Sequence, residues 1–343
     1  MAIDTSFFNA KELVCGVVVD ASNVGTVGSA TLTTIESDSV AFPTFNDIRA
    51  ERRSGSGSGI MNATANKYHQ AEGGTVEVSV SGYMTEELYA ILLPNVLGQA
   101  LISSSITVDG SAKTNAHFHH GDTSGVEKTL TFAFNGVADG TQVDCALIRG
   151  CVITSLTLTA DPNDDGGRMK FDLSAGSGIP HTLASAFTNT AATMPAMSAN
   201  YVYLSEFDLF TKVHNADALL KSFSMTIDNP VVYGGFNDTG SSLAGAPMAY
   251  IRSVPEMKIT INPVIKYDTN FDGLWNLSRA TTALTTPAFT MYDHATIGSA
   301  TRFLEAADAT LTNISWDEGD YLGLNIEMEV VGDTSTSFQI KVS

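Results

Sequence analysis

Three histidines stand close together at positions 117, 119 and 120, in the pattern HxHH. If this segment is a strand, His117 and His119 face the same side and can share a metal ion. Asp122 is near, but no cysteine or acidic run completes the ligand set. A solvated loop is the alternative interpretation, and we expect neither a metal nor any other cofactor in this chain.

A second group of oxygen ligands lies at Asp161, Asn163, Asp164 and Asp165. The group has the character of a calcium loop, but it lacks the twelve-residue spacing that ends in Glu. Two glycines follow it, which is typical of a hairpin turn. Asp317, Glu318 and Asp320 occupy the corresponding turn in the second half. Acidic turns at both places favour a repeated hairpin over two calcium sites.

Enzyme signatures are absent from the sequence. There is no GxSxG nucleophile motif, no GxxxxGK[ST] phosphate loop and no strand–GxGxxG–helix unit. The alternation of Ser and Gly at 54–59 predicts a flexible loop tip rather than a phosphate cradle. Glu86 and Glu87 have the residue type for acid–base chemistry, but a helix start explains their charge. We assign no catalytic residue and do not expect an enzyme.

The charge balance excludes some classes of partner. The chain has 343 residues, with 18 Lys plus Arg against 37 Asp plus Glu, so its net charge is −19. Charged residues make up 16% of it, whereas about a quarter is usual. Proteins that bind nucleic acid or anionic membranes by charge attraction need clustered Lys and Arg. We therefore expect neither kind of binding.

Other features of the sequence predict a protein without membrane spans or disulfides. No apolar stretch approaches the roughly 18–20 residues of a membrane span, and the first residues do not resemble a secretory signal. The three cysteines are Cys15, Cys145 and Cys151. Their odd, low number favours free thiols buried as small apolar side chains.

Alternation of apolar and polar residues is the dominant local pattern, as in half-buried antiparallel strands. It occurs at 75–80 (TVEVSV), 170–174 (KFDLS), 256–261 (EMKITI) and 325–330 (NIEMEV). Turn signals stand at 134–136, 164–167 and 317–320. Helical patterns are confined to 85–93, where Thr85 is the expected N-cap, and to 269–279. The sequence predicts a mainly β protein with one short helix in each half.

The two halves of the chain also show traces of duplication. Thr34-Ile35-Glu36 is matched by Thr226-Ile227-Asp228, and the pattern around it recurs 191 or 192 residues later. The order strand, helix, strand and hairpin follows in both halves. We predict a first domain at 12–178, a linker at 179–203 and a second domain at 204–343.

This order resembles the tail tube proteins of long-tailed bacteriophages, over roughly residues 12–343. Residues 149–158 (RGCVITSLTL) look like the strand before the last hairpin of that family, and residues 221–229 (KSFSMTIDN) look like the opening of its second half. The resemblance implies two tandem β-sandwich domains whose sheets join those of neighbouring subunits into a continuous β-barrel lumen. Three duplicated chains then make a homotrimeric, pseudo-sixfold ring. The implied location is the virion tail, assembled in the host cytoplasm, with other tail proteins at the tube ends.

Two surfaces are predicted for such an assembly. Non-core acidic residues on the strands are candidates for an acidic lumen through which DNA passes without specific binding: Glu77, Asp172, Glu327 and Glu329. Ordinary acidic solubility is the alternative explanation for them. The polar loop at 42–74 is predicted to reach the adjacent ring, and its candidate stacking residues are Arg49, Glu51, Arg52, Arg53, Asn66 and Lys67. A surface loop without that role is the alternative.

Other functional classes remain open at this point. One is a different tail or virion component, such as an adaptor or a decoration protein. Another is a β-sandwich that binds carbohydrate or adheres to surfaces, which requires aromatic side chains clustered on one face. The chain has only two tryptophans, and we expect Trp275 to belong to the core of the second half. A hydrolase on a β-sandwich requires a convergent His, Asp and Glu site, which the sequence does not show.

Overall fold

The structure is a computed structural model. It describes residues 14–20, 32–37, 40–49, 71–97, 106–108, 111–113, 116–118, 129–138, 141–177, 200–207, 210–233, 236–237, 246–247, 250–252, 257–279, 283–294, 300–319, 321–332 and 337–341. In this part of the chain the protein is mainly β, as predicted, with antiparallel sheets and two α-helices.

The strands of the first half are β1 (Val14–Val19), β2 (Thr33–Ile35), β3 (Thr44–Arg49), β4 (Ala71–Tyr83), β5 (Ile106–Val108), β6 (Ser111–Lys113), β7 (Ala116–Phe118), β8 (Leu130–Ala138), β9 (Thr141–Ala160) and β10 (Lys170–Ser177). Helix α1 (Glu86–Val96) follows β4.

The strands of the second half are β11 (Thr211–Val213), β12 (Ala216–Ala218), β13 (Leu220–Asp228), β14 (Val231–Tyr233), β15 (Phe236–Asn237), β16 (Ala246–Pro247), β17 (Tyr250–Arg252), β18 (Lys258–Lys266), β19 (Phe289–Tyr292), β20 (Phe303–Ala306), β21 (Ala309–Glu318), β22 (Leu322–Val330) and β23 (Phe338–Lys341). Helix α2 (Leu274–Leu277) follows β18, after the 3-10 turn Thr269–Phe271.

One long antiparallel sheet runs through both halves. Its strand order is β4-β10-β9-β13-β18-β22-β21, and the pairing of β9 with β13 joins the first half to the second. The predicted boundary between the halves therefore lies where the sheet and the apolar core are continuous. Residues 178–199, which hold most of the predicted linker, lie outside the described residues.

Two further layers complete the fold. The order β2-β1-β8-β9 forms a second branch in the first half, where the first part of β9 pairs with β8 and its last part pairs with β10 and β13. The order β12-β11-β19-β20-β23-β7 forms a separate sheet, made of strands of the second half together with β7 of the first half. Each half thus contains a second strand layer in addition to its part of the long sheet.

The core follows the alternation of the strands. On β4, Val76, Val78 and Val80 are buried, whereas Glu77 and Ser79 are exposed. The same two-residue period repeats in the neighbouring strands, so one face of the long sheet is apolar and the other is polar. Burial of the apolar face stabilises the fold by about 25 cal/mol for each Å² of apolar surface removed from water.

Helix α1 forms where the sequence predicts a helix. The Thr85 hydroxyl caps its N-terminus by accepting a hydrogen bond of 3.3 Å from the Leu88 amide. Leu88, Leu92 and Val96 are fully buried, and the helix packs on β9. Helix α2 is a single turn that packs on β21, and it is shorter than the predicted helix at 269–279.

The predicted turns have mixed outcomes. The β9–β10 turn is confirmed, and Asp165, Gly166 and Gly167 there have φ of 48°, 68° and 78°, a conformation that glycine adopts without strain. The signal at 317–320 also lies at a hairpin end, between β21 and β22. The turn at 134–136 is wrong, because these residues lie inside β8 and pair with β9.

Two other expectations need correction. The predicted loop at 42–74 contains paired strands, because β3 runs antiparallel to the first part of β4, with Arg49 opposite Ala71. The short sequence match between residues 34–36 and 226–228 relates two strands that have different neighbours in the fold. Strand β2 pairs with β1, whereas β13 pairs with β9 and β18. Position 35 in β2 is therefore not the counterpart of position 227.

Candidate assembly surfaces

The polar face of the long sheet is the first candidate surface that the strands position. Its two central strands, β9 and β13, carry hydroxyl side chains at Ser155, Thr157, Thr159, Ser222, Ser224 and Thr226. Backbone register places these residues in rows across the sheet, and the Thr157 and Thr226 hydroxyls are 3.2 Å apart. Hydroxyl groups therefore dominate the centre of this face.

The four predicted lumen residues all lie on this polar face. Glu77 and Asp172 stand on the neighbouring strands β4 and β10, whereas Glu327 and Glu329 stand on β22, beyond β9, β13 and β18. Sequence alternation is sufficient to place them there. Asp228 on β13 belongs to the same face and was missed because the sequence match assigned it to a repeat motif.

Acidic side chains outnumber basic ones on this face. The described acids on it are Glu77, Asp172, Asp228, Asp317, Glu327 and Glu329; the described bases are Lys170, Lys221, Lys258 and Lys266. Three of the bases have acidic partners: Lys258 lies 3.2 Å from Glu329, Lys221 pairs with Asp317, and Lys170 pairs with the β9–β10 turn. The exposed pair stabilises the fold by at most about 1 kcal/mol, so its main effect is on the charge of the face.

The long sheet has a lateral edge at each side, formed by different segments of the chain. In the part of the chain that the structure describes, β21 pairs only with β22, so its other edge has no partner strand. At the opposite side, residues 36–37 and 40–43 run beside β4, where Val40 bridges to Val80 and the Tyr83 amide donates to the Glu36 carbonyl at 3.0 Å. Unpaired edges bind other strands readily.

The two ends of the strands are also different. Paired arms extend from one end, which we call the arm end: β3 with the first part of β4, and β14 with β17. The first arm extends five residues beyond Val76, or roughly 17 Å at the usual strand rise. Arg49 is the last residue of β3, and its backbone lies at the far end of the arm. The other predicted stacking residues (Glu51, Arg52, Arg53, Asn66, Lys67) lie outside the described residues.

The opposite end, which we call the turn end, carries the hairpin turns. In the first half, Lys170 lies 2.8 Å from Asp164 and also pairs with Asp165, which accepts a hydrogen bond of 2.9 Å from the Tyr83 hydroxyl. Hydrogen bonds from Lys170 and Tyr83 lower the pKa of Asp165, and the two carboxylates raise the pKa of Lys170. These charges fix the turn rather than form a calcium site.

A buried arginine connects the two halves away from the polar face. Arg302 lies 3.2 Å from Glu86 of α1, 2.9 Å from Glu206 and 3.2 Å from Asp293. Its side chain is only 10% exposed and that of Asp293 only 5%. Burial raises the pKa of Glu206, while Arg302 opposes that shift. Sequence reasoning missed this cluster, because its members are separated by as many as 216 positions.

An aromatic group lies at the turn end of the second half, on the apolar side of β21. The rings of Trp316 and Trp275 are centred 5.1 Å apart, and Tyr267 meets Trp316 edge-on, also at 5.1 Å. We call these three residues the tryptophan cluster. Trp275 packs against the core as predicted, but Trp316 is 43% exposed. The cluster was missed because the three residues come from three separate segments.

The described residues contain no group of three His, Cys, Asp or Glu side chains that could hold a metal ion. The backbone of His117 lies in β7, while His119 and His120 lie outside the described residues. Cys15 and Cys151 are buried free thiols, and burial raises their pKa. No helix in the described ranges has the length and apolar character to cross a membrane.

Comparison with known proteins adds no identification to these surfaces. Neither a protein-family model nor a curated protein matches the sequence.

Proposed function

We propose that this protein is the structural subunit of a bacteriophage tail tube, which assembles into stacked rings around a DNA-conducting channel. The observation that carries the proposal is the β9–β13 junction, where the two halves already join edge to edge in one sheet. A chain that contains one such join, and leaves an edge at each side of it, can repeat the same join with further copies.

The strand pairings support a duplicated architecture. In the first half, residues 36–37 and 40–43 lie beside β4, β4 pairs with β10, and β10 pairs with β9. In the second half the order β13, β18, β22, β21 has the same connections, and a helix follows β4 and β18 alike. The outer layers agree as well, since β2-β1-β8-β9 matches β12-β11-β19-β20. Two related sandwich domains explain this recurrence most simply.

Ring closure follows from the position of the edges. In the internal junction, β9 is the outermost strand of the first half's part of the long sheet. It pairs with β13, which is the first strand of the second half's part. The same pairing between copies brings β21 of one chain to residues 40–43 of its neighbour. The resemblance to tail tube proteins implies three chains, which supply six halves, and closure then leaves no exposed edge in the long sheet. A homotrimer is therefore the proposed ring.

The polar face suits the wall of a DNA channel. Hydroxyl groups dominate its centre and acids outnumber bases on it, so the wall offers DNA phosphates no cationic site. Glu77, Asp172, Glu327 and Glu329 would repel the passing phosphates in this arrangement. DNA is then a transient occupant and not a bound ligand.

Ring stacking is assigned to the arm end. The first arm extends away from the sheet, and the chain beyond it holds three of the six proposed stacking residues within 51–53. We propose that residues 49–67 contact the turn end of the adjacent ring. The proposed surroundings are the tail of a virion, with other tail proteins at the two ends of the tube.

The proposal is tested by blocking the free edge of β21. Thr312 lies at a bulge, where the register between β21 and β22 shifts. Proline is tolerated at bulges but cannot donate to a new partner strand. We expect Thr312→Pro to remain folded by circular dichroism and to form no rings or tubes in negative-stain micrographs. The control Thr312→Ala keeps the amide and should assemble.

Two outcomes would contradict the tube. One is a wild-type protein that stays monomeric at every concentration. The other is a Thr312→Pro variant that assembles as the wild type does, which would show that β21 is not the joining edge.

A carbohydrate-binding module is the second candidate, and one observation favours it. Trp316, Trp275 and Tyr267 form the kind of partly exposed aromatic cluster on which sugar rings can stack. The test is a titration with soluble oligosaccharides, in which binding by the monomer would favour this candidate.

A further inference from the structure

At the internal junction, the helix of the first half contacts the second half. Helix α1 lies over β9 and also reaches the second half, where Glu86 lies 3.2 Å from Arg302. The Tyr89 hydroxyl donates to the Phe303 carbonyl at 3.3 Å. The helix of the first half is therefore part of the contact with the half that follows it, and Tyr89 is fully buried there.

Helix α2 lies over β21 in the corresponding position, but in the described residues no strand pairs with the outer edge of β21. The tryptophan cluster occupies this place. Trp316 stands on β21 itself, whose outer edge has no partner strand in the described structure, and 43% of its surface faces water. A large aromatic side chain exposed beside an unpaired edge is typical of an interface that is not yet formed.

We propose that the tryptophan cluster is the seat on which the first half of a second copy docks when a ring closes. This inference rests on the proposed ring assembly. The occupant is a second copy because the chain already contains the same junction once, with α1 in the place of α2. A strand that pairs with the edge of β21 necessarily approaches Trp316, so edge pairing and coverage of the cluster are one event.

The chain carries its own probe for this docking. Its two tryptophans both belong to the cluster, so native tryptophan fluorescence reports on the cluster alone. We expect acrylamide quenching of the wild-type protein to fall roughly twofold when monomers become rings, as water is excluded from the aromatic contact. Trp275→Phe leaves Trp316 as the only emitter and should show the larger change.

The steps of assembly separate this inference from the proposed function. If electron microscopy shows rings while acrylamide quenching stays at its monomer value, the tryptophan cluster is not the docking site. The proposed tube function would be unaffected by that result. If quenching falls only when rings stack, the cluster serves stacking and the lateral seat is wrong. If no rings form under any condition, the proposed function itself fails.

A variant pair gives a second readout. We expect Trp316→Ala to raise the protein concentration needed for ring formation by roughly 30-fold, the effect of an interface hot spot. The matched control is Tyr321→Ala, because Tyr321 is equally exposed at 44% but stacks with Lys221 at 4.3 Å, outside the cluster. Circular dichroism shows whether both variants fold. Equal assembly by both variants, with both folded, would overturn the proposal.

Discussion

The Ser155 hydroxyl of the first half donates a hydrogen bond of 3.0 Å to the Asp228 carboxylate of the second half. The two residues face each other across the paired strands β9 and β13. One position inward, Leu156 faces Ile227, and both are completely buried. The junction between the halves thus has a polar outer row and an apolar inner row, as has every other strand pair in the core of this sheet.

Cooperative unfolding is the first expectation from this junction. We predict that Ile227→Ala lowers the free energy of unfolding by about 2–4 kcal/mol, because it leaves a cavity in the shared core. Asp228→Ala, which removes only an exposed hydrogen bond, should cost about 1 kcal/mol or less. Urea unfolding of both variants should show a single transition. Separate transitions for the two halves would contradict the shared core.

Loss of the buried arginine should be more damaging than loss of any single surface charge. We predict that Arg302→Met lowers the free energy of unfolding by about 3–5 kcal/mol, because the buried Asp293 and the partly buried Glu206 lose their cation. The control Lys258→Met breaks an exposed pair with Glu329 and should cost about 1 kcal/mol or less. Denaturant titration measures both variants, and equal costs would mean that the Arg302 cluster is well solvated.

Acid should weaken the β9–β10 turn. The pKa of Asp165 is lowered below its ordinary value of 3.8 by Lys170 and Tyr83. A lowered carboxyl pKa contributes stability that is present above the unfolded value and is lost as pH falls through the folded value. The contribution should therefore be complete at neutral pH and disappear only below about pH 4.

The measurement for this turn is a carboxyl NMR titration. We expect Lys170→Met to move the pKa of Asp165 back toward 3.8, because the largest cause of the shift is removed. Lys258→Met, on another strand, should leave the titration of Asp165 unchanged. An unaltered Asp165 titration in Lys170→Met would assign the shift to Tyr83 instead.

The effect of the negative charge of the polar face can be tested with DNA. We predict that assembled wild-type protein retains no DNA, whereas the double variant Asp172→Lys, Glu327→Lys retains it at low salt. Retention should weaken as the salt concentration rises. The logarithm of the binding constant should fall with the logarithm of the salt concentration, with a slope of about −0.9 for each phosphate contact. The control Asp217→Lys, Glu318→Lys adds the same charge away from this face. Equal retention by both double variants, in a gel-shift assay, would remove the polar face from the DNA path.

Local features of the fold were predictable because they depend on neighbouring residues. The alternation at 75–80 is sufficient to predict the middle of β4, and Thr85 followed by two glutamates predicts the start of α1. The same alternation places Asp172 and Glu327 on a non-core face without any knowledge of pairing. Which strands share that face depends on contacts distant in sequence, so alternation alone cannot place β10 and β22 in one sheet.

The errors have physical causes as well. Asn135 and Gly136 have a strong turn preference, but β8 continues through them because both of its neighbours supply ladder partners. The first arm was missed because its sequence, TFNDIR in β3 and AEGGT in β4, does not alternate between apolar and polar residues. The tryptophan cluster and the Arg302 cluster are tertiary, and no spacing along the chain indicates either of them.

The arms and the turns lie at opposite ends of the same strands, and this gives the subunit a direction along the strand axis. A tube made by stacking such subunits in one orientation would have two chemically different tips, one ringed by arms and the other by acidic turns and tyrosines. Capping factors that fit one tip would not fit the other. Growth would then proceed at unequal rates from the two tips, and a single initiating complex could set both the starting point and the heading of the whole filament.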